Sequence, residues 1–576
     1  MADIPVPSDY SSDSILQAVR DGALEALMAG ASLALEGDRW QEFARAGIAL
    51  HRSGELDMVA AILASDGPVD WSAEAFYSAA LPEIDMPVGT MFQVIGKFAA
   101  RSHDGDTPYF MYDVLASWAG RSTQRVSEAL ELIRNGKGPR AMMVAVLQAG
   151  LVASRSAYVS RIAELLLKGS SEDARAAGRV LGAMTPADAD ERQLIAATLD
   201  AALNGVSEEQ QLAAFDASLS IGTRTADNEE FAQGAFAAIG SAATPQLREA
   251  AARALFMTGS TSSGELVSLI CNFLEGVEAG EKTTIKAIDR ALCSQRSPAI
   301  SAPRLALLNS LLKREISDLQ EMEGTAHHIL ADKNGLLQAL VTQWVADGSD
   351  AMVDAVCHLT LKAAGRGRLL DLDFSKHALC AEQTIAIACK VTGRLLAFPR
   401  TAVSIVLSLM RSGHPEAGDE LEELLFDPLL INYWKPVREV LTDLAPPQPD
   451  RLQVRIERLK KRIDAHTAAI NEVGVIKELR PSERQYFLRE ILRSEESRQI
   501  SKDVQKNSPF MEIFPPSVLL YGDSAVSAVF KSEGESERRE FRLGSFEHKS
   551  DLARMKAIDP VGFWYDQLVL CSGELP

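Results

Sequence analysis

The spacing of apolar residues constrains this chain more than any other feature. Between about residue 38 and residue 444, apolar side chains recur every three or four positions, and Gly, Ser, Thr, Asp and Pro interrupt the pattern at short intervals. Alternation with a period of two, which is typical of a strand, is scarce there. The pattern predicts many helices joined by turns of a few residues, and such short turns make neighbouring helices antiparallel.

Every second predicted helix ends in a similar motif. "RAAGRVLG" ends at Gly182, "FDASLSIG" at Gly222 and "RALFMTG" at Gly259, so the spacings are 40 and 37 residues. The alanines allow helices to approach closely, and each final glycine suits a left-handed C-cap. Because a helix pair of this size has an apolar face that it cannot cover alone, a period near 40 predicts that successive pairs stack.

In period and pattern, residues 38–444 resemble the HEAT and armadillo class of helical repeats. The repeats are degenerate and share no sharp consensus. The resemblance implies an α-solenoid that acts as a scaffold or adaptor and has no enzymatic activity. The alternative fold is an irregular all-helical bundle with the same periodicity.

Changes in composition divide the chain into four predicted segments. They are an N-terminal helical cap or subdomain, residues 1–125; the α-solenoid repeats, residues 126–445; a Pro-rich linker with basic heptad helices, residues 446–506; and a small α+β module, residues 507–576. Consecutive prolines in "APPQPD" end the repeats because proline lacks the backbone donor that a helix needs. The fold class is therefore mainly α, with strands expected only near the C-terminus.

A change in the sequence pattern after residue 507 is the basis for predicting a separate C-terminal module. "SVLLYGDSAVSAVF" is typical of two strands joined at Gly522 and Asp523, "REFRLGSF" of a third strand, and "FWYDQLVLC" of a strand or a closing helix. In the last segment, Phe563, Trp564 and Tyr565 are expected to supply the core of the module and an exposed anchor. Trp564 and Tyr565 are the candidate interface residues.

Charge is distributed unevenly along the chain. The formal net charge is -20, yet residues 446–576 contain 21 basic and 21 acidic side chains, so the acidic excess lies in residues 1–445. Residues 451–506 hold 14 basic and 9 acidic side chains. Because an acidic surface repels phosphate, nucleic-acid binding would require this basic segment.

The most basic stretch is "RIERLKKRI", residues 455–463. Its basic side chains are the candidate partner-binding residues, namely Arg455, Arg458, Lys460, Lys461 and Arg462. An apolar heptad seam runs alongside them, formed by Leu452, Ile456, Leu459, Ile463, His466, Ile470 and Val473. A parallel self-pair would set Arg455 against Lys460 of a second copy, which disfavours homodimerisation.

Two interpretations of this helix remain open. In the first, the apolar seam packs on the last repeat and acidic side chains of the repeats neutralise the arginines. In the second, the basic stripe binds an acidic partner, with a protein favoured over a nucleic acid because residues 451–485 contain no aromatic residue.

Motifs that define a reaction are missing from the sequence. Gly259–Gly264 has the glycine spacing of a phosphate-binding loop, but Glu265 follows where the loop requires lysine. The weak candidates for metal ligands are Cys357, His358, His377 and Cys380, of which His377 and Cys380 are expected one helical turn apart. Core packing is favoured over metal binding, and no cofactor is expected.

These observations favour a non-enzymatic protein-binding scaffold. Its acidic repeats would bind a basic protein surface, and its basic helix an acidic one. The acidic, polar N-terminus lacks the features of a secretory signal, no apolar stretch is long enough to cross a bilayer, and six cysteines are sparse, so a cytoplasmic location is expected. The alternatives are a regulatory or sensor subunit of a bacterial multi-protein system, such as antiviral defence, and nucleic-acid binding through residues 451–506.

Overall fold

The structure is a computed structural model of the chain. It describes residues 12–21, 27, 39–65, 74–101, 108–240, 243–259, 262–294, 300–331, 335–362, 368–444, 451–474, 482–506, 524–530, 536–542 and 552–576. The chain divides into two compact units, Met1–Thr325 and Ala326–Pro576, and the division lies inside the predicted repeat segment 126–445. "APPQPD" and the predicted turn at Gly522 and Asp523 lie outside the described residues.

The described part of the first unit is helical. Its helices are α1 (Ser12–Arg20), α2 (Arg39–Ser53), α3 (Met58–Ala64), α4 (Glu74–Ala80), α5 (Val88–Arg101), α6 (Phe110–Ala119), α7 (Thr123–Arg134), α8 (Met143–Ala153), α9 (Arg155–Lys168), α10 (Ser171–Ala183), α11 (Ala189–Leu203), α12 (Glu208–Gly222), α13 (Glu229–Ile239), α14 (Pro245–Met257), α15 (Gly264–Leu274), α16 (Lys282–Leu292) and α17 (Ala302–Lys313). Short 3-10 turns occur at Leu81–Glu83, Arg140–Met142 and Ala226–Asn228.

The second unit is also mainly helical. Helix α18 (Glu323–Ala331) spans the division, and the helices that follow are α19 (Leu336–Asp347), α20 (Asp350–Lys362), α21 (Ala381–Arg394), α22 (Pro399–Ser412), α23 (Gly418–Leu424), α24 (Ile431–Asp443), α25 (Arg451–Val473), α26 (Glu483–Lys506), α27 (Arg554–Ile558) and α28 (Pro560–Ser572). A 3-10 turn, Pro415–Ala417, precedes α23, and a π-helical turn, Leu425–Leu430, follows it. Strands β1 (Ser524–Phe530) and β2 (Ser536–Arg542) form an antiparallel hairpin in which Ser524 pairs with Arg542.

Local signals in the sequence set where many helices begin. At several N-termini a side-chain oxygen accepts a hydrogen bond from the backbone N–H three residues later, as at Asp57, Ser122, Ser170, Asp188, Ser207, Thr244 and Ser263. Ser170 and Asp173 complete a capping box at α10, and Pro245 occupies the first turn of α14, where a missing donor is harmless.

Helices of the first unit pack in two interleaved series. Each even-numbered helix from α2 to α14 contacts the next even-numbered helix, and the series reaches α16. Odd-numbered helices do the same from α3 to α7 and again from α9 to α17. Consecutive helices such as α9 and α10 also contact each other. Neighbouring helix pairs therefore pack on one another along most of the first unit, which is compatible with a helical repeat.

Small residues allow the helices of the even series to approach closely. A Cβ added to Gly178 of α10 would lie 2.6 Å from the carbonyl oxygen of Ala213 in α12, and one on Gly182 would lie 3.1 Å from Ala217. The predicted left-handed C-caps are wrong, because Gly182 and Gly222 are helical and Gly259 does not have a positive φ. Gly182 and Gly222 leave room for a neighbouring helix, whereas a Cβ added to Gly259 would meet nothing within 4 Å.

Arginines link successive helix pairs at a separation of about one repeat. Arg155 of α9 pairs with Glu191 of α11, 36 residues later, and Arg192 pairs with Glu230 of α13, 38 residues later. Arg248 of α14 forms a buried pair with Glu281, 33 residues later, just before α16. The polar contacts thus repeat with the period of the apolar ones.

An extended segment, residues 368–374, interrupts the helices of the second unit. Leu370, Leu372 and Phe374 are buried, whereas Asp371 and Asp373 are exposed, which is the alternation of a strand. Alternate backbone N–H groups donate to hydroxyls of α22, in the pairs Arg368–Thr401 at 3.0 Å, Leu370–Ser404 at 3.0 Å, Leu372–Ser408 at 3.1 Å and Phe374–Ser412 at 2.9 Å. We call these four hydroxyls the hydroxyl ladder.

The C-terminal segment differs from the predicted separate α+β module. "FWYDQLVLC" lies in helix α28, which packs on α21, and α27 packs on α24. The reason is apolar burial, since Phe563 and Leu570 on one face of α28 are buried. The predicted strands occur only as β1 and β2 among the described residues, so the C-terminal helices belong to the helical packing of the second unit.

Within the described ranges, no helix combines the length and apolar character required to cross a lipid bilayer.

Candidate functional site

Helix α25, which carries the basic stretch, packs within the chain. Leu452, Ile456, Leu459 and Ile463 of its apolar seam are buried. The helix contacts α24 and the π-helical turn. The ring of His466 meets Phe426 of that turn nearly edge-on, with 6.2 Å between ring centroids. This packing is the one that the first interpretation of the basic helix predicts.

Arg455 is the most engaged of the basic side chains. Its Nη1 donates to Asp419 Oδ1 at 2.6 Å, to Glu422 Oε2 at 2.8 Å and to the carbonyl oxygen of Gly418 at 3.0 Å, all in α23. Partial burial disfavours its charge, but the hydrogen bonds with Asp419 and Glu422 raise the pKa of Arg455. A Cβ on Gly418 would lie 2.8 Å from Arg455 Nη2, so glycine leaves room for the guanidinium.

The other basic side chains are paired to different degrees. Arg458 Nε lies 3.4 Å from Glu422 Oε1, and Arg462 Nη1 lies 2.9 Å from Glu423 Oε2. The guanidinium carbon of Arg462 also lies 3.9 Å from the centroid of the Phe426 ring. Lys460 pairs with Glu457 of its own helix, and Lys461 is exposed, with no partner among the described residues.

These pairs have the same sequence separation as those between repeats. Arg455 and Asp419 are 36 residues apart, and Arg462 and Glu423 are 39 residues apart. Side-chain ion pairs therefore join α25 to α23 at a sequence separation similar to that of the pairs in the first unit. The basic stretch is explained in large part by the acidic helix that it covers.

A cavity of about 390 Å³ lies beside α25. Its walls are largely apolar and are formed by Leu396, Pro428, Ile431, Ile470, Met555, Ile558, Phe563 and Leu570. Asp427, Asp559, Asp566, His466 and Arg554 also line it. Desolvation and the carboxylates of Asp566 and Glu423 raise the pKa of Asp427, while His466 lowers it. Apolar walls with a few polar groups are typical of a cavity that binds a small group or a side chain.

Helix α28 presents an apolar stripe to solvent. The stripe consists of Val561, Trp564, Tyr565 and Leu568, which are 79%, 49%, 65% and 70% exposed. Their spacing of three, one and three residues places all four on one helix face. The Nζ of Lys556 lies 5.2 Å from the centroid of the Trp564 ring. Trp564 and Tyr565 are thus both exposed, and Phe563 alone of the aromatic cluster is buried.

Sequence reasoning identified Trp564 and Tyr565 but missed Val561 and Leu568. The signal was present, because the four residues follow the i, i+3, i+4 and i+7 pattern of one helix face. The prediction left this segment open between a strand and a closing helix, and the four residues share a face only in the helix.

The candidate metal ligands are separated by the fold. Cys357 and His358 lie in α20, where the Cys357 thiol is 3.6 Å from the carbonyl oxygen of Arg394. His377 and Cys380 are not one helical turn apart, because α21 begins only at Ala381 and Cys380 caps it. Within the described part of the chain, no group of three or more His, Cys, Asp and Glu side chains could hold a metal ion.

Two cysteines of this region, Cys357 and Cys389, are shielded from solvent, whereas Cys380 is exposed. Desolvation raises the pKa of the Cys357 thiol to about 11 and that of Cys389, which is buried in α21, to about 12. Protonated thiols are poor nucleophiles and poor ligands at neutral pH.

Comparison of the sequence with protein-family models and with curated proteins finds no match.

Proposed function

We propose that this protein is a protein-binding scaffold of the HEAT-like α-solenoid class, acting in the cytoplasm. The observation that carries the proposal is the pair of interleaved helix series in the first unit, in which most helices contact the next but one. Stacked helix pairs of this kind give an extended surface that is already ordered, so a partner binds with little ordering cost.

The period of the polar contacts supports the same proposal. Arg155 with Glu191, Arg192 with Glu230, and Arg455 with Asp419 are separated by 36, 38 and 36 residues. Contacts that join each unit of structure only to its neighbour are characteristic of a solenoid. The same spacing therefore occurs within each of the two units.

The surface best suited to a partner is the apolar stripe of α28. Trp564 and Tyr565 can bury a large area at low entropic cost, and both have a polar group that bonds at a wet interface. The basic side chains of α25 contribute less, because Arg455, Arg458 and Arg462 already pair with α23. We therefore propose that a partner protein with an apolar face binds the stripe.

The test compares partner capture by two variants of the full chain. Trp564→Ala/Tyr565→Ala removes the aromatic part of the stripe, and Tyr109→Ala, an 82% exposed aromatic in the first unit, is the matched control. Proteins cross-linked to the wild-type chain in its native cells are identified, purified and titrated by calorimetry. We expect a partner that the control retains and the double variant binds at least about tenfold more weakly. Equal affinity for all three chains would contradict the proposal.

A further inference from the structure

The extended segment 368–374 has two different edges. One edge faces α22, where the hydroxyl ladder accepts the N–H groups of alternate residues from Arg368 to Phe374. Each ladder serine also donates to its own helix, as Ser408 does to the carbonyl oxygen of Ser404 at 2.8 Å. Because a hydroxyl both donates and accepts, the helix holds an extended backbone as a neighbouring strand would.

The opposite edge is unpaired. In an extended chain, the backbone groups of Leu369, Asp371 and Asp373 point away from those of the residues that reach the ladder. These three residues make no backbone hydrogen bond within the described part of the chain. Asp371 and Asp373 are exposed, and Leu369 is half-buried. A row of unpaired N–H and C=O groups along one edge of an extended segment is a template for another strand.

The segment is also rigidly positioned. Leu372 and Phe374 are fully buried, and Leu370 is 4% exposed. Arg411 of α22 contacts the carboxylate of Asp371 and donates to the carbonyl oxygen of Leu372 at 3.1 Å. A partner strand would therefore meet a backbone that is ordered before binding, which lowers the cost of association.

Charge identifies the kind of strand that fits. Between the exposed Arg368 and the buried Phe374, the exposed side chains are those of Asp371 and Asp373, which are acidic and lie two residues apart on the face opposite the buried leucines. The hydrogen bonds with Ser375 lower the pKa of Asp373, so it is ionised at neutral pH. A cross-strand neighbour with lysine or arginine at alternate positions would complement Asp373 and would share the carboxylate of Asp371 with Arg411.

We infer that residues 369–373 are a docking strand for an extended, basic segment of a partner protein, which adds to the unpaired edge by β-augmentation. This inference rests on the proposed protein-binding function, whose own test uses the stripe of α28. The docking strand is a second binding surface, separate from the stripe of α28, and its ligand is a basic, extended peptide segment. Backbone pairing supplies affinity, and the two aspartates select a basic sequence.

The probe is a fluorescein-labelled heptapeptide that alternates lysine with valine, titrated against the full chain by fluorescence anisotropy. Replacing its lysines by glutamate should abolish binding. Two further peptides are N-methylated at alternate amides, one on the lysines and one on the valines. Backbone pairing predicts that one methylated peptide binds like the parent and the other at least about tenfold more weakly, because it loses about three hydrogen bonds.

The site is assigned with variants of the full chain. Asp371→Asn/Asp373→Asn should weaken binding about fivefold to tenfold. Asp190→Asn/Glu265→Gln removes two exposed carboxylates of the first unit and should leave the affinity unchanged. Circular dichroism and thermal unfolding check that both variants fold like the wild type.

Three outcomes would overturn the inference: equal binding of both methylated peptides, equal weakening by the two protein variants, or no binding of the parent peptide by the wild-type chain. The methylated peptides use only the wild-type chain, so misfolding of a variant cannot obscure their result. Trp564→Ala/Tyr565→Ala should bind the parent peptide normally, so loss of the docking strand and failure of the proposed scaffold function give different results.

Discussion

At the scale of single residues, the pair of Arg248 and Glu281 gives the strongest test of how neighbouring helices of the first unit are joined. Arg248 Nη2 lies 2.6 Å from Glu281 Oε1, and its Nε lies 3.1 Å from Oε2. The two side chains are 9% and 7% exposed. A buried carboxylate left without its cation is strongly destabilising, because neither water nor another charge replaces the lost interaction.

We predict that Arg248→Met lowers the free energy of unfolding at pH 7 by about 3–5 kcal/mol. Arg253→Met is the control, since Arg253 is 52% exposed and pairs with exposed acids, and it should cost at most about 1 kcal/mol. Urea titration measures both. If both substitutions lower the free energy of unfolding equally, burial of the Arg248–Glu281 pair does not contribute to stability.

The same pair predicts a dependence on pH. Burial alone would raise the pKa of Glu281, but hydrogen bonds from Arg248 and from the backbone lower it. A carboxylate whose pKa is lowered in the folded state stabilises the fold at pH values above its ordinary pKa. This stabilisation is lost as the pH falls through the lowered pKa of the folded state. The stability difference between wild type and Arg248→Met should therefore narrow as the pH falls below about 4. A difference that is constant from pH 7 to pH 3 would contradict this.

The hydroxyl ladder gives a second prediction at this scale. Ser404→Ala and Ser408→Ala should each destabilise by about 1–3 kcal/mol, because the N–H of Leu370 or Leu372 loses its acceptor in a buried position. The control is Ser268→Ala, because Ser268 is a half-buried helical serine that donates only to the carbonyl oxygen of Gly264. Ser268→Ala should change the free energy of unfolding only through helix propensity, a gain of about 0.5 kcal/mol. Thermal unfolding compares the stabilities of the three variants. If the ladder variants are as stable as the control, the hydroxyls do not stabilise the extended segment.

At the scale of helices, the close contact of α10 with α12 depends on Gly178. Substituting alanine in a helix usually stabilises by about 0.5–1 kcal/mol. At Gly178 the added Cβ would lie 2.6 Å from the backbone oxygen of Ala213, so the two helices must separate. We predict that Gly178→Ala destabilises by about 1–3 kcal/mol.

Gly234 of α13 offers a matched control. It is helical and exposed, and a Cβ there meets nothing within 4 Å. Gly234→Ala should stabilise by about 0.5–1 kcal/mol, so the two substitutions should have opposite signs in a denaturant titration. If both stabilise, the helices are not held at contact distance by their glycines.

Much of the helical architecture could be predicted from the sequence, and the failures have physical causes. The three-and-four spacing and the period between Gly182 and Gly222 report burial and packing, which dominate helix formation. The conformation of a single glycine could not be predicted in this way, because glycine is suited both to a left-handed C-cap and to a close contact between helices. Which of the two occurs depends on the position of the neighbouring helix.

The extended segment shows a different failure. "LLDLDFS" contains an alternation at Leu370, Leu372 and Phe374 that indicates a strand. Its partner, however, is a helix that offers hydroxyls, and no rule of strand pairing predicts that. The basic stretch was readable as a helix with a buried seam, but the pairing of Arg455 with Glu422 required the position of α23.

At the scale of the whole molecule, the C-terminal helices complete the second unit. Phe563 and Leu570 of α28 are buried, and Gln567 donates to the carbonyl oxygen of Gly393 in α21 at 2.9 Å. Helix α27 is held by the N–H of Met555, which donates to the buried Asn432 at 2.8 Å. Each buried large side chain contributes about 1.5–3 kcal/mol, so the last residues stabilise helices far from them in sequence.

We predict that deleting residues 552–576 lowers the free energy of unfolding of the second unit by about 3–6 kcal/mol, the contribution of two large buried side chains. Hydrogen exchange should accelerate in residues 381–394 and 431–443, which lose their cover. Deleting only Leu575 and Pro576 should change neither quantity, since both residues are exposed. Gly393→Val provides an independent perturbation, because its Cβ would lie 2.8 Å from the Cys571 backbone and would displace α28. Unchanged exchange in both altered chains would mean that α28 lies on a unit that is already complete, and its exposed stripe would then lack the rigid support that partner binding requires.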